Sequence, residues 1–152
     1  MSGPLKTVLF VDDSEDDRLL TTHAFKLAGL DCLRTVDSVP QALQYLRGEG
    51  CYSDRNKYPF PSLIVTDLKM PGLNGFDLLD TIRNDASTAA VPIVVLSSCD
   101  LGQDVADALH CGARAFYRKP AQLAELRDLV SKMYAYWCGG PSSQDDPGPD
   151  AL

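Results

Sequence analysis

The stretch "VLFVDDSEDD", residues 8–17, decides how the rest of the chain is read. Thr7 and the four apolar residues after it form a run too short for a helix and too uniformly apolar for a half-exposed strand, which suits a parallel strand covered on both faces. The run stops at two adjacent aspartates, and two more follow within four positions. Negative charge gathered at one end of a buried strand needs a reason, and the reason must lie in what else collects there.

Bulk properties narrow the possibilities. The chain has 152 residues, 45% of them hydrophobic, enough for one well-buried core and too few for two comfortable domains. Its 21 acidic residues outnumber 14 basic ones, giving a formal charge of −7 that opposes a polyanion, so direct binding to nucleic acid is not expected. The five cysteines (Cys32, Cys51, Cys99, Cys111, Cys138) fit no metal or redox spacing and read as free thiols. No signal peptide opens the chain and no run reaches membrane-spanning length, so a cytoplasmic protein without a membrane partner is expected.

Further apolar runs at 63–66, 93–96 and 115–117, with a weaker one at 32–36, alternate with helical patterns at 15–28, 39–47, 75–84, 102–111 and 122–138. Gly29 and Gly112 suit helix ends, and Ser38 suits a helix start. The alternation predicts an α/β fold of the (βα)5 type, an open parallel sheet with helices on both faces. The segment 48–62, "GEGCYSDRNKYPFPS", is long for a connection and is expected to be a plain surface insertion. Residues 139–152 have the Gly, Pro, Ser and Asp content of a disordered tail, leaving 1–138 as the folded domain.

In an open α/β sheet, ligands sit beyond the carboxyl ends of the strands. There the sequence delivers Asp12 and Asp13 after the first strand, Asp67 after the third, Ser97 after the fourth, and Lys119 with Pro120 after the fifth. Carboxylates that close repel one another unless a cation joins them, and oxygen donors without His or Cys favour a hard ion, Mg²⁺ before Zn²⁺. A metal, a carboxylate, a hydroxyl and a lysine around one point also describe a site for phosphoryl transfer.

At these residues the sequence resembles the receiver domain of two-component response regulators (CheY-like). The resemblance is carried by "VDD" after the first strand, "VTDLKMPGLNG" around Asp67, "VLSS" after the fourth and "AFYRKP" after the fifth, and it covers about residues 5–133. It implies a flavodoxin-like sheet with strand order 2-1-3-4-5 and makes Asp67 the phosphoacceptor. It implies that Asp13 binds Mg²⁺ directly, Asp12 through water, and the main-chain carbonyl of Lys69 as a further ligand alongside Asp67. Ser97 is then the hydroxyl that bonds the phosphoryl group, Lys119 its charge partner, and Phe116 the switch aromatic that reports the state. Phe116 stands where tyrosine is frequent, and Ser97 where threonine is common, which keeps the hydroxyl without the methyl.

The resemblance implies a signalling protein rather than an enzyme, with self-catalysed phosphotransfer and autodephosphorylation at most. Its donor would be a histidine kinase or phosphotransfer protein. The insertion, the segment "IRNDASTAAVPIVVLSS" and the aromatic end of the last helix resemble stand-alone regulators that partner bacterial and cyanobacterial phytochromes, so a phytochrome-type kinase is included among the expected partners. The alternative of a Mg²⁺-dependent phosphohydrolase with an aspartyl-phosphate wants a second aspartate two residues after the nucleophile, where Lys69 stands. A flavin module wants a Ser/Thr/Gly-rich loop after the first strand, and none is there.

Four readings complete the expectations. Asp16 and Asp17 are first-turn residues favoured by the helix dipole, with Asp17 closing a capping box onto Ser14. The Lys119–Pro120 bond is a candidate cis peptide. His23 and His110 are surface residues of helices. Tyr134, Tyr136 and Trp137 exceed what the core can bury, which predicts a homodimer through the fourth helix, fifth strand and fifth helix.

Overall fold

The computed structural model describes residues 5–70, 72–98 and 102–139. Its elements run β1 (Val8–Val11), α1 (Glu15–Leu27), β2 (Leu33–Val36), α2 (Val39–Arg47), a short 3₁₀ turn (Gly50–Tyr52), β3 (Leu63–Thr66), α3 (Gly75–Arg83), β4 (Ile93–Ser97), α4 (Gly102–His110), β5 (Phe116–Arg118) and α5 (Leu123–Cys138). The strands pair in the order β2-β1-β3-β4-β5, and the pairs are parallel. This is the flavodoxin-like (βα)5 arrangement. The tail after Gly139 lies outside the described residues.

Alternation along each strand divides the core into two layers. Leu9 and Val11 join Ile64, Val95 and Phe116 in a layer closed by α2, α3 and α4, while Val8 and Phe10 join Leu63, Val65, Leu96 and Tyr117 beneath α1 and α5. All four residues of β1 are fully buried. A strand buried on both faces must be apolar throughout, which is why its sequence reads as an unbroken run. Each such side chain contributes about 1.5–3 kcal/mol by leaving water. No helix among the described residues is long and apolar enough to cross a membrane.

The helix termini follow local chemistry. Ser38 caps α2 by accepting from the Gln41 amide at 3.2 Å, and Asn74 with Asp77 forms a capping box at the start of α3. Gly29 and Gly112, just past α1 and α4, have φ of +77° and +116°, a region that penalises any side chain. His23 and His110 are exposed.

Three expectations need correction. The insertion is not a plain surface loop, because Tyr52 is buried in the core and its ring packs at 5.0 Å from Tyr45 and 5.1 Å from Tyr58. Arg55 ties this segment to the end of α2: its guanidinium donates to the carbonyls of Tyr45 (2.8 Å), Leu46 (2.8 Å) and Tyr58 (3.0 Å). Carbonyls in the last turn of a helix run short of intrahelical donors, and the guanidinium supplies one to Leu46 O and a second, beside the Gly48 amide, to Tyr45 O. Tyr45 in turn donates its hydroxyl to Pro59 O at 2.8 Å, and burial pushes that phenol up to about 12.

The second correction concerns the aromatic end of α5. Tyr134 and Trp137 pack against the core, the Trp137 indole donates to the Tyr117 hydroxyl at 3.1 Å, and the Tyr134 hydroxyl accepts from the Lys6 amide at 2.8 Å. Two of the three rings therefore fold back onto the core, and Tyr136, half-buried, stands edge-on to Trp137 at 4.8 Å. Third, no described peptide bond is cis, so Lys119–Pro120 is trans. The trans form is the lower by about 0.5–1 kcal/mol at an X–Pro bond, and Lys119 reaches its partners from it.

Candidate functional site

Strand register builds the site. Val11 pairs with both Val36 and Thr66, so Asp12 and Asp67 leave neighbouring strands at the same level. The Asp67 amide donates to Val11 O at 3.0 Å and the Asp12 amide to Val36 O at 3.2 Å, which extends the ladder by one residue and fixes both backbones. Between β1 and β3 the connections diverge to opposite sides of the sheet, which opens the crevice where α/β proteins bind ligands. On the far side, the Lys119 amide donates to Ser97 O at 2.8 Å, so the ends of β4 and β5 are held together as well.

Lys119 closes the crevice. Its ammonium lies 2.8 Å from Asp17 Oδ2, 3.0 Å from Asp12 Oδ2 and 3.5 Å from Asp67 Oδ2. Its side chain is only 7% exposed, and that of Asp12 only 1%. Burial alone would lower the lysine, but the bond to Asp17 and the attraction of Asp67 and Asp12 outweigh it and leave its pKa raised. Burial raises Asp12 above its ordinary value even though the Ser14 amide and Lys119 pull it down. Both partners of one ion pair are thus raised; for Asp12 desolvation of a wholly enclosed carboxylate is the dominant cause.

Asp67 is further fixed by its own surroundings. Its Oδ1 accepts from the Leu68 amide at 2.7 Å, and its carbonyl accepts from the Thr66 hydroxyl at 2.8 Å. Gly75 at the start of α3 presses on this backbone: a Cβ there would stand 2.4 Å from Asp67 O. Only glycine permits that approach.

The other expected site residues fall as follows. Ser97 is the last residue of β4 and is buried, and Phe116 is fully buried in the layer under α2, α3 and α4. Asp13 is exposed and does not belong to the carboxylates that converge. Lys69 sends its ammonium to Asp104 of α4 at 3.4 Å, linking the segment after β3 to that helix.

Asp17 is the residue the sequence reading misplaced. Ser14 does cap α1, accepting from the Asp17 amide at 3.2 Å, but the Ser14 amide goes to Asp12 Oδ1 at 3.0 Å. The Asp17 carboxylate is therefore free of the capping box and turns to Lys119. The available signal was positional: one helical turn after Asp13 brings a side chain back over the strand end.

Asp12, Asp17 and Asp67 each offer an oxygen within 4.8 Å of the others. One ammonium among three carboxylates leaves an excess of negative charge in a partly enclosed place, and the donors are all oxygen. Such a set fits a hard divalent cation.

An open parallel sheet with an acidic carboxyl edge closed by one lysine is the arrangement of a flavodoxin-like signalling module. The chain belongs to the response regulator receiver domain family, whose match spans residues 8–131. Among curated relatives, the two-component response regulator ARR7 of Arabidopsis thaliana is 37% identical over 85% of this chain and 63% of its own length. ARR15 of the same plant is 35% identical, over 84% of this chain and 62% of its own length. The chain thus spans less than two thirds of these relatives.

Several solved structures of similar shape are response regulators, some of them from light signalling. A response regulator in red-light signalling of R. palustris superposes with a TM-score of 0.82 at 27% identity, covering 95% of this chain and 99% of that one. The phosphorylated cyanobacterial phytochrome response regulator RcpA gives 0.79 at 26%, covering 91% and 98%. The Mn²⁺-bound response regulator Rcp1 gives 0.75 at 25%, covering 90% and 97%. This chain is therefore a receiver-domain response regulator of two-component signalling.

Proposed function

We propose that Asp67 accepts a phosphoryl group from the phosphohistidine of a histidine kinase or phosphotransfer protein. The observation that carries the reading is the register that seats Asp12 and Asp67 side by side with the Lys119 ammonium 3.0 and 3.5 Å away. A carboxylate oxygen of Asp67 attacks phosphorus, a P–O bond forms, and the P–N bond of the donor breaks. The electron pair leaves with the imidazole, which takes up a proton. When bound, Mg²⁺ would be held by Asp12, Asp67, the adjacent Asp13 and the main-chain carbonyl of Lys69, with Asp17 left to Lys119, and would supply neutralising charge.

In the acyl-phosphate, the Ser97 hydroxyl donates to a phosphoryl oxygen and Lys119 pairs with its charge. Movement of Ser97 toward the phosphoryl group opens space for Phe116, shifting an equilibrium between two arrangements that already exist. A shift from mostly inactive to mostly active needs about 3–5 kcal/mol of differential contact, within reach of one charge-assisted hydrogen bond and one ion pair.

The phytochrome association of the cyanobacterial regulator RcpA, with the red-light role of the R. palustris one, supports a phytochrome-type kinase as donor, and a cytoplasmic location where such kinases present their phosphohistidine. A phosphorylation-dependent protein interaction would use a surface of the receiver domain. For self-association, the face made by α4, β5 and α5 keeps Leu109 exposed, a narrower basis than three uncovered rings. Sedimentation with and without an acyl-phosphate mimic checks it, and a monomer in both states excludes it. The phosphohydrolase alternative has no support, since the side chain two residues after Asp67 is Lys69, paired with Asp104.

Acetyl phosphate with Mg²⁺ should give one acid-stable, base-labile adduct. Chelation should prevent it, and so should Asp67→Asn, nearly isosteric and less repulsive toward its neighbours. Equal labelling of the variant removes Asp67 from the role.

A further inference from the structure

We infer that Asp17 is a positioning residue: it holds the Lys119 ammonium in the unphosphorylated site and must release it when the phosphorylated state forms. The inference rests on the reading of Asp67 as phosphoacceptor and adds a residue and a cost to it.

A lysine ammonium has three N–H donors, and here Asp17, Asp12 and Asp67 stand around it at 2.8, 3.0 and 3.5 Å. Every donor is committed. A phosphoryl oxygen on Asp67 inherits the donor that faces Asp67 Oδ2 at 3.5 Å, the longest of the three contacts, and closing that gap draws the ammonium away from Asp12 or Asp17.

Exposure decides which. The Asp12 side chain is 1% exposed, and stripping its partner would leave a buried charge with no water to replace it. The Asp17 side chain is 35% exposed and can exchange the lysine for water. Its backbone need not move, because Ser14 continues to hold the Asp17 amide at 3.2 Å. Asp17 therefore sets the ease with which Lys119 transfers: its grip stabilises the resting site and opposes the phosphorylated one.

Beryllofluoride, which occupies an aspartate as an acyl-phosphate does, reads this balance without turnover. At saturating Mg²⁺, Asp17→Ala should bind it about three- to tenfold more tightly, the size of one hydrogen bond lost from the competing state. Asp17→Asn, which keeps a weaker neutral acceptor, should fall between Asp17→Ala and the native chain, and it carries the test if the alanine variant does not fold. Asp16→Ala removes the same charge from the same exposed turn and should leave affinity within about twofold, since surface charges at this range are screened.

Unchanged or weaker binding in both Asp17 variants overturns the inference. Equal tightening by Asp16→Ala overturns it too, because general charge would then be the cause. A native chain that fails to bind beryllofluoride at all rejects instead the underlying reading of Asp67.

Discussion

Two cations in this molecule are each surrounded by three oxygen-bearing partners, and they do opposite things. Arg55 lies among the carbonyls of Tyr45, Leu46 and Tyr58, and Lys119 among the carboxylates of Asp12, Asp17 and Asp67. Carbonyls are neutral and belong to the backbone, so the guanidinium is locked by its planar fork and nothing gains from displacing it. Carboxylates are charged, mutually repulsive and open to competition from a divalent ion or an incoming anion. One cluster fastens a loop; the other stores a rearrangement.

The comparison breaks most visibly at Lys119. Lys119→Met in the metal-free protein leaves the buried Asp12 unpaired and should cost about 3–5 kcal/mol in denaturant unfolding. Mg²⁺ should return part of that loss, because a second cation then serves the same carboxylates. If Mg²⁺ returns nothing, the carboxylates do not share a cation site.

Gly75→Ala comes next. The added methyl meets Asp67 O at 2.4 Å, so backbone at the phosphoacceptor must shift, with a stability loss of up to about 3 kcal/mol and slower labelling by acetyl phosphate. Normal labelling would show that the exact seat of Asp67 is unimportant. Arg55→Met should cost about 2 kcal/mol through the donors it takes from Leu46 O and Tyr58 O, Tyr45 O keeping the Gly48 amide, yet leave labelling unchanged and gain nothing from Mg²⁺. Recovery with Mg²⁺ there would erase the distinction between the two clusters.

The smallest expected effect is one of pH. Burial raises Asp12 in the folded protein above its ordinary 3.8, so between that value and the raised one the native state binds more protons than the unfolded chain. Stability of the metal-free protein should therefore fall as pH rises through this window. Lys119 does not interfere, because its raised pKa acts only in the alkaline range, where its contribution is lost as pH climbs. Mg²⁺ should flatten or reverse the slope by favouring the ionised carboxylate. Thermal melts across mildly acidic pH, with and without Mg²⁺, measure it; a rising metal-free slope opposes the assignment.

Much of this was legible in the sequence for physical reasons. Strands buried on both faces are apolar up to their carboxyl ends, where Thr66 and Ser97 stand, so β1, β3 and β4 announce themselves, and α2 and β3 begin and end where pattern and cap place them. The strand order came from resemblance, since five apolar runs alone do not say which neighbours pair. That Asp12, Asp67, Ser97 and Lys119 stand at one edge was legible because strand ends deliver them there. Asp17 was not, since a first-turn acid has an adequate local explanation and only the distance to Lys119, 102 positions away, reveals another. The Arg55 clamp and the docking of Trp137 on Tyr117 were hidden likewise: each is a contact between elements whose own patterns are complete.

The most direct test of the central claim is to find where the phosphoryl group goes. After acetyl phosphate and Mg²⁺, borohydride converts an aspartyl-phosphate to homoserine, and fragment masses place the change on one residue. The account predicts a single conversion at Asp67, absent when Mg²⁺ is chelated. Conversion at Asp12, Asp13 or Asp17, or at Asp67 without regard to Mg²⁺, would contradict it.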